Sequence, residues 1–252
     1  MSVRRRLDVE LTRRRLADSR EAAQRLIEAG RVTVDGQRAD KPARMVLDSQ
    51  AVVVADDVGD DYASRGAHKL VGALEAFVPL GLQPPNGRLC LDAGASTGGF
   101  TDVLLRQGAA RVTCVDVGYG QLVWRLQQDP RVTVIDRCNV RNLTPDDLPF
   151  SPDLVVADLS FISLRLVIPA LVAVARPDAD LVLMVKPQFE VGRENLGRGG
   201  VVRDPALWDV AVAGVVAAAA ELGWSEQGRA RSPLPGPAGN VEFFVWLKAT
   251  DR

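Results

Sequence analysis

Hydrophobic and polar positions follow two different rhythms along the chain. Up to about residue 58, apolar residues are sparse and fall at helical spacing before giving way to a short alternation; from residue 65 on, solid apolar runs alternate with stretches of helical period. Apolar residues three or four apart mark one face of a helix, whereas alternation or a short solid run marks a strand. Leu7, Leu11 and Leu16 therefore predict a first helix. Asp18 predicts the N-cap of a second, with Glu21 three residues on, Leu26 and Ile27 on its apolar face and Gly30 closing it. "RVTVDGQRA" reads as a strand, an Asp35-Gly36 turn and a strand. The acidic stretch "VADDVGDDYAS", residues 54–64, has little to bury and reads as an exposed connection.

Beyond it, "RLCLDAG", "RVTCVDVG", "RVTVIDR", "DLVVADLS", "DLVLMVKP" and "VEFFVWLK" are predicted strands. Residues 66–80, ahead of the first, and 98–107, 120–127, 161–175 and 204–222 between them are predicted helices. This alternation implies parallel strands with crossover helices, an α/β doubly wound sheet, whose ligands bind beyond the carboxyl ends of the strands. The organisation expected is a small α+β domain at 1–58, a linker at 59–64 and a large domain at 65–252.

Composition narrows the function classes. With 252 residues and 47% hydrophobic side chains, there is enough apolar material for both cores. No apolar run reaches the roughly 18–20 residues that span a bilayer, and "VAVAGVVAAAAEL" ends in a charge before it could. The N-terminus lacks the hydrophobic segment of a secretion signal, so a soluble, cytoplasmic protein is expected. Three cysteines without paired spacing and a single histidine, His68, suggest neither a disulfide framework nor a metal site, which leaves proton transfer to Lys, Asp or Glu. Net charge is −1, yet residues 1–45 hold twelve Lys/Arg against seven Asp/Glu. A basic end on a mildly acidic body suggests a polyanion-binding module attached to a catalytic one.

The stretch "CLDAGASTGGFTD", residues 90–102, lies at the end of the first large-domain strand. Its glycines, Gly94, Gly98 and Gly99, let backbone approach a ligand closely, and the missing Lys excludes a Walker phosphate loop. The spacing also departs from the dinucleotide fingerprint G-x-G-x-x-G. Asp92, just before the first glycine, suits a cationic group better than a pyrophosphate, as the ammonium and sulfonium of S-adenosylmethionine would be. Asp116, 24 positions on, ends the second strand, where a carboxylate can accept both ribose hydroxyls of an adenosine. Asp136 and Asn139 follow the third strand, where an adenine edge would be read; any of these carboxylates could instead cap a local turn.

A methyl acceptor can be narrowed by absences. The fourth strand ends in "DLSF", not the proline-aromatic turn of an exocyclic-amine methylase, and no cysteine follows residue 138 to attack a pyrimidine ring. Strand ends supply Asp158 and Lys186, with Lys69 ahead of the first strand and Glu242 at the start of the last. A ribose 2′-hydroxyl is a weak acid, so a methylase acting on it needs a proton acceptor aimed at it. A lysine that is desolvated or set beside another cation gives up its proton more readily, and carboxylates can hold it in place.

"RLDVEL", "DSREAAQRLIEAGRVTVDGQ" and "KPARMV" resemble the RNA-binding domain of ribosomal small-subunit protein four, over roughly residues 4–56. "SRGAHKL", "LDAGASTGGFTDVLL", "VDVGYGQL", "DLVVADLSFISL", "LMVKPQFE", "GGVVRDP" and "GNVEFF" are together similar to the TlyA family of ribosomal RNA 2′-O-methyltransferases, called haemolysins in older naming. This likeness spans nearly the whole chain. It implies a Rossmann-like methyltransferase sheet of about seven strands with the last antiparallel, S-adenosylmethionine as cofactor, and a Lys-Asp-Lys-Glu tetrad on Lys69, Asp158, Lys186 and Glu242. It implies cofactor contacts from Asp92, Gly94, Ser96, Thr97, Gly98, Gly99, Asp116, Val117, Asp136, Asn139 and Asp158. The implied reaction is cytidine 2′-hydroxyl methylation in small- or large-subunit ribosomal RNA, by a monomer without metal or membrane. Candidate RNA contacts are Arg4, Arg5, Arg14, Arg15, Arg20 and Arg25 in the first domain. In the second they are Arg65, Phe161, Phe189, Arg193, Arg198 and Arg203, the last four on or beside the glycine-rich loop 187–205. Two other readings stay open at this point: an RNA-binding assembly factor without catalysis, and a membrane-lysing protein.

Overall fold

The computed structural model describes residues 4–17, 19–28, 30–54 and 62–250, the side chain of Arg38 aside. It divides into two compact units, Met1–Asp61 and Tyr62–Arg252. In the first, β1 (Arg4–Arg6) runs into α1 (Leu7–Arg13), and α2 (Arg20–Glu28) leads to β2 (Val32–Val34), β3 (Gln37–Arg38), β4 (Met45–Leu47) and β5 (Val52–Val54). β1 pairs with β4, and β3-β2-β5 form an antiparallel sheet. Leu7 and Leu11 of α1 meet Ala23 and Ile27 of α2 and Val32, Val34 and Val52 of the sheet in one core. Asp35 and Gly36, with φ of 51° and 77°, form the expected two-residue hairpin turn, because a primed turn needs both centres left-handed.

Two expectations for this unit are revised. α1 stops before Leu16: Arg15 turns left-handed (φ 59°), Leu16 N–H bonds back to Leu11 O at 2.9 Å, and the Leu16 side chain is left exposed. Asp18, expected to cap α2, lies outside the described residues; Ser19 Oγ accepts the Ala22 N–H at 3.1 Å at that helix end.

The second unit runs α3 (Ala67–Phe77), β6 (Leu89–Ala93), α4 (Gly99–Arg106), β7 (Arg111–Val115), α5 (Trp124–Gln127), β8 (Val132–Ile135) and β9 (Leu154–Ala157). It continues through α6 (Ile168–Val174), β10 (Asp180–Val185), α7 (Pro187–Glu190), α8 (Pro205–Ala220), β11 (Trp224–Arg231) and β12 (Phe243–Ala249). One seven-stranded sheet has the order β11-β12-β10-β9-β6-β7-β8, with β12 antiparallel to both of its neighbours and the pairs from β10 to β8 parallel. Burial alternates with the strand period: Leu91, Val155 and Leu181 face α6 and α8, while Cys90, Leu154 and Val182 face α3 and α4.

In this unit β11 is the strand that apolar patterning misses, as it misses β1, β4 and β5 in the first. Its sequence, WSEQGRAR, buries only Trp224 fully, because an edge strand paired on one side has little of itself to bury. Two predicted helices are also shorter than their patterns. The segment 120–127 is α-helical only over Trp124–Gln127, and 161–175 holds a 3-10 turn at Leu164–Leu166 before α6. Strand order reverses between β6 and β9, both flanked by parallel neighbours. A crevice forms beyond the carboxyl ends of strands at such a point.

Candidate active site

The glycine turn occupies that crevice. β6 ends at Ala93, and Gly94 bonds back to Val115 O of the neighbouring strand at 2.8 Å. Gly94 has φ 87°, and a Cβ there would lie 2.7 Å from Asp158 O, so only glycine lets the ends of β6 and β9 come this close. A Cβ on Gly98 would strike Leu126 and Leu122, and one on Gly99 the Ser64 hydroxyl. The turn was expected to use its glycines for ligand approach; on their Cβ sides all three serve close packing against protein. Ser96 sits with φ 48°, a left-handed position suited to glycine, and its N–H donates to Asp116 Oδ2 at 2.8 Å.

Asp92 was expected to face the ligand from the open turn. It is instead wholly buried beneath it, since its place in β6 directs it to the Cys90 face that α4 covers. Thr101 of α4 donates to Asp92 Oδ2 at 2.7 Å, while Oδ1 has no hydrogen-bond partner. Burial pushes the Asp92 carboxyl up to about 7, with the Thr101 bonds opposing and the Asp158 and Asp116 carboxylates adding to the rise.

Asp116, half-buried at the end of β7, ties two loops together: Oδ2 to Ser96 N–H and Oδ1 to Gly118 N–H at 2.7 Å. Asp136 Oδ2 accepts Gly120 N–H at 2.9 Å. Asn139 accepts Arg141 N–H at the start of the 3-10 turn Val140–Asn142, a capping role. Val117, Asn139, Val140, Leu159, Ser160 and Phe161 are among the walls of a cavity of about 180 Å3 at this rim. An adenosine fits this setting by the chemistry of its donors and acceptors. Asp116, each of whose oxygens accepts one backbone N–H and can accept a second donor, precedes Val117 of the cavity wall, and the orphaned Asp92 oxygen lies under the turn, where a cationic group would satisfy it.

Four charged side chains from four segments converge beside the turn. Lys186, directly after β10, places Nζ 2.6 Å from Asp158 Oδ1 and donates to Ser160 Oγ at 3.0 Å. Lys69, in the first turn of α3, lies 3.6 Å from the other Asp158 oxygen and 2.6 Å from Glu242 Oε2, just ahead of β12. The result is an alternating line, Lys186, Asp158, Lys69, Glu242. Both lysines and Glu242 are buried, and only Asp158 keeps about a fifth of its side chain exposed. Buried charges persist when paired in this way, because removing one partner leaves the other uncompensated. Ser160 and Met184, whose sulfur is 3.6 Å from Lys69 Nζ, join this line although sequence reasoning passed over them. The hydroxyl two residues after Asp158 was the available signal.

Phe161 stands beside the line, 91% exposed and with φ 64°. Its ring centroid is 5.4 Å from that of the half-buried Phe189. Arg65, Arg193, Arg198 and Arg203 are exposed and make no ion pair among the described residues. Loop 187–205 is partly ordered as α7 and a 3-10 turn at Arg193–Asn195.

The first-unit arginines separate into two groups. Arg14 donates to buried Glu10 at 2.6 Å and to the carbonyls of Gln50 and Asp48, and Arg20 pairs with buried Asp8 at 3.0 Å. Arg5 lies 3.8 Å from Glu10. All three pair with buried carboxylates, Arg20 while staying exposed itself, whereas Arg4, Arg15 and Arg25 are exposed without ion pairs among the described residues. The guanidinium of Arg13, helped by Arg14, holds the Glu10 carboxyl down to about 2.

No helix among the described residues is long and apolar enough to cross a membrane, and no group of three or more His, Cys, Asp or Glu among them could hold a metal. The model of the FtsJ-like methyltransferases matches residues 62–249, and that of the S4 domain matches residues 5–52. The 16S/23S rRNA (cytidine-2′-O)-methyltransferase TlyA of Mycobacterium tuberculosis is 58% identical over 253 residues, covering 100% of this chain and 93% of that protein. A solved structure of a protein named as a hemolysin, from Streptococcus thermophilus, is 39% identical with a TM-score of 0.77, covering 98% of this chain and 89% of that one. A protein from Listeria monocytogenes, named as an S-adenosylmethionine-dependent methyltransferase, shares the fold, with a TM-score of 0.53 at 14% identity, covering 73% of this chain and 100% of that one.

Proposed function

The chain belongs to the TlyA family, an FtsJ-like methyltransferase domain joined to an S4 domain, and from that membership we propose how its residues methylate cytidine 2′-hydroxyls of ribosomal RNA. The observation that carries the mechanism is the Lys186, Asp158, Lys69, Glu242 line beside the glycine turn. S-adenosylmethionine, when bound, would supply the methyl carbon, its sulfur–methyl bond breaking as the sulfur keeps the electron pair and leaves as the thioether of S-adenosylhomocysteine. The turn at Gly94 and Ser96–Gly99 is its seat, with Asp116 for the ribose and Val117, Asp136 and Asn139 toward the base. Asp92 acts from below the turn as a buried counter-charge.

Lys186, charged at rest, first gives a proton to solvent; its neutral Nζ then accepts the hydroxyl proton as the 2′-oxygen bonds to the methyl carbon, and Asp158 and Ser160 hold the ammonium so re-formed. Lys69 balances the second Asp158 oxygen, and Glu242 balances Lys69. The positive charge that arrives with the proton thus enters a site already arranged for it. Phe161 and Phe189 offer ring faces for a displaced base, and Arg65, Arg193, Arg198 and Arg203 offer charge to phosphates. In the S4 domain that role falls to Arg4, Arg15 and Arg25. Arg5, Arg14 and Arg20 would join them at phosphates while also pairing with the buried carboxylates of Glu10 and Asp8. The working form is read as a cytoplasmic monomer without metal.

Mapping ribose methylation across both ribosomal RNAs, from cells with and without the protein and after reaction of purified subunits, tests this reading. Cytidine 2′-O-methyl marks that depend on the protein are expected. Complete absence of such marks in either RNA would return the chain to the assembly-factor reading.

A further inference from the structure

Glu190 is a buried carboxylate that the mechanism leaves unused. It closes α7, the single turn that begins directly after Lys186, and its side chain is 2% exposed. Oε1 accepts Leu164 N–H at 2.7 Å, and Oε2 accepts the Ser163 hydroxyl at 2.6 Å. Arg165 Nε lies 3.3 Å from Oε2, while its Nη2 donates to the Glu190 carbonyl at 2.9 Å. Donors from three consecutive residues of the loop after β9 therefore converge on one residue of the loop after β10. A charged acceptor makes such bonds short and strong.

Those two loops carry the reacting line. Asp158, Ser160 and Phe161 lie on the first, Lys186 and Phe189 on the second. They are joined at their near ends by Asp158 and Lys186 at 2.6 Å, in the middle by the two phenylalanine rings, and at their far ends by Glu190. Phe161 keeps a left-handed backbone with a large exposed side chain. That conformation costs free energy and persists only where the surroundings fix the chain on both sides. β9 fixes one side, and Glu190 holds residues 163–165 on the other. We infer that Glu190 is a positioning residue, which holds the Asp158–Arg165 loop against the Lys186 loop so that Phe161 is presented to the target nucleotide beside the proton acceptor.

The inference rests on the methyltransferase reading above, and a double-mutant cycle tests it separately. Wild type, Glu190→Gln, Phe161→Ala and the double variant are compared in single-turnover methylation of purified subunits, with cofactor affinity by calorimetry and melting temperature beside each. Glutamine keeps the shape but replaces one acceptor oxygen with a donor facing a donor. Its rate should fall between about 10- and about 100-fold, the scale of a misplacement near 1 Å, with cofactor Kd within about twofold of wild type. In the Phe161→Ala background the further loss from Glu190→Gln should shrink to about twofold or less, because both changes remove the same presentation. Losses that multiply in the double variant, or a Glu190→Gln protein at the wild-type rate, overturn the inference. Should Glu190→Gln not fold, Ser163→Ala removes a donor from the opposite side and enters the same cycle with the same two outcomes. A wild type that methylates no ribosomal RNA overturns the function and this inference together, whereas multiplying losses on an active wild type overturn the inference alone.

Discussion

Lys186 and Asp92 are both buried and ionisable, yet they make opposite predictions. Lys186→Ala should lower the single-turnover rate by roughly 10²–10⁴-fold, as loss of a general base does, with affinities for cofactor and RNA near wild type. A stable variant that retained more than about a tenth of the rate would remove Lys186 from the chemistry. Asp92 speaks through pH. Its folded carboxyl titrates at about 7, above its ordinary value of 3.8, so between these limits the folded state binds the extra proton. Stability from this group is then complete below the lower limit and is lost as pH rises toward 7. Asp92→Asn should flatten that part of the melting-temperature profile and melt higher than wild type at pH 8. Parallel profiles for the two proteins would mean that Asp92 is already ionised in the fold.

The glycine turn makes the prediction at the scale of elements. Gly94 brings β6 and β9 together at φ 87°, and an added Cβ meets a backbone carbonyl that cannot swing aside. Gly94→Ala should destabilise by more than about 1 kcal/mol and weaken cofactor binding, read as a lower melting temperature and a raised Kd in calorimetry. An unchanged pair of values would show that the two strand ends have slack. At this scale the sequence was most informative where elements are solidly apolar. β6, β7, β9, β10 and β12 were legible as runs, and Asp158 and Lys186 were legible because they stand where such runs stop. β11 was not, since its partner lies on one side only and its outward face is polar. Nor was the burial of Asp92, which depends on α4 folding back over it, or the clamp at Glu190, which joins loops 25 to 27 positions apart. Tertiary placement decides both, and no local pattern records it.

For the whole molecule, the division into two units gives the last prediction. Deleting residues 1–58 should leave a folded, cofactor-binding domain that methylates subunits poorly and with a shallower dependence on salt, because exposed arginines are lost with the deleted unit. Methylation of whole subunits at the wild-type rate and salt slope would make the S4 domain dispensable. One further consequence lies in the order of assembly. Lys69 and Glu242 are 173 positions apart, and the lysine is buried against its partner only once β12 has slotted between β10 and β11. Contacts of such long range form late, after the entropy of closing the intervening chain has been overcome. The step that locks β12 into the sheet is therefore the step that completes the active site, so methyl transfer, unlike contact with RNA through the separate S4 unit, belongs only to the fully assembled chain.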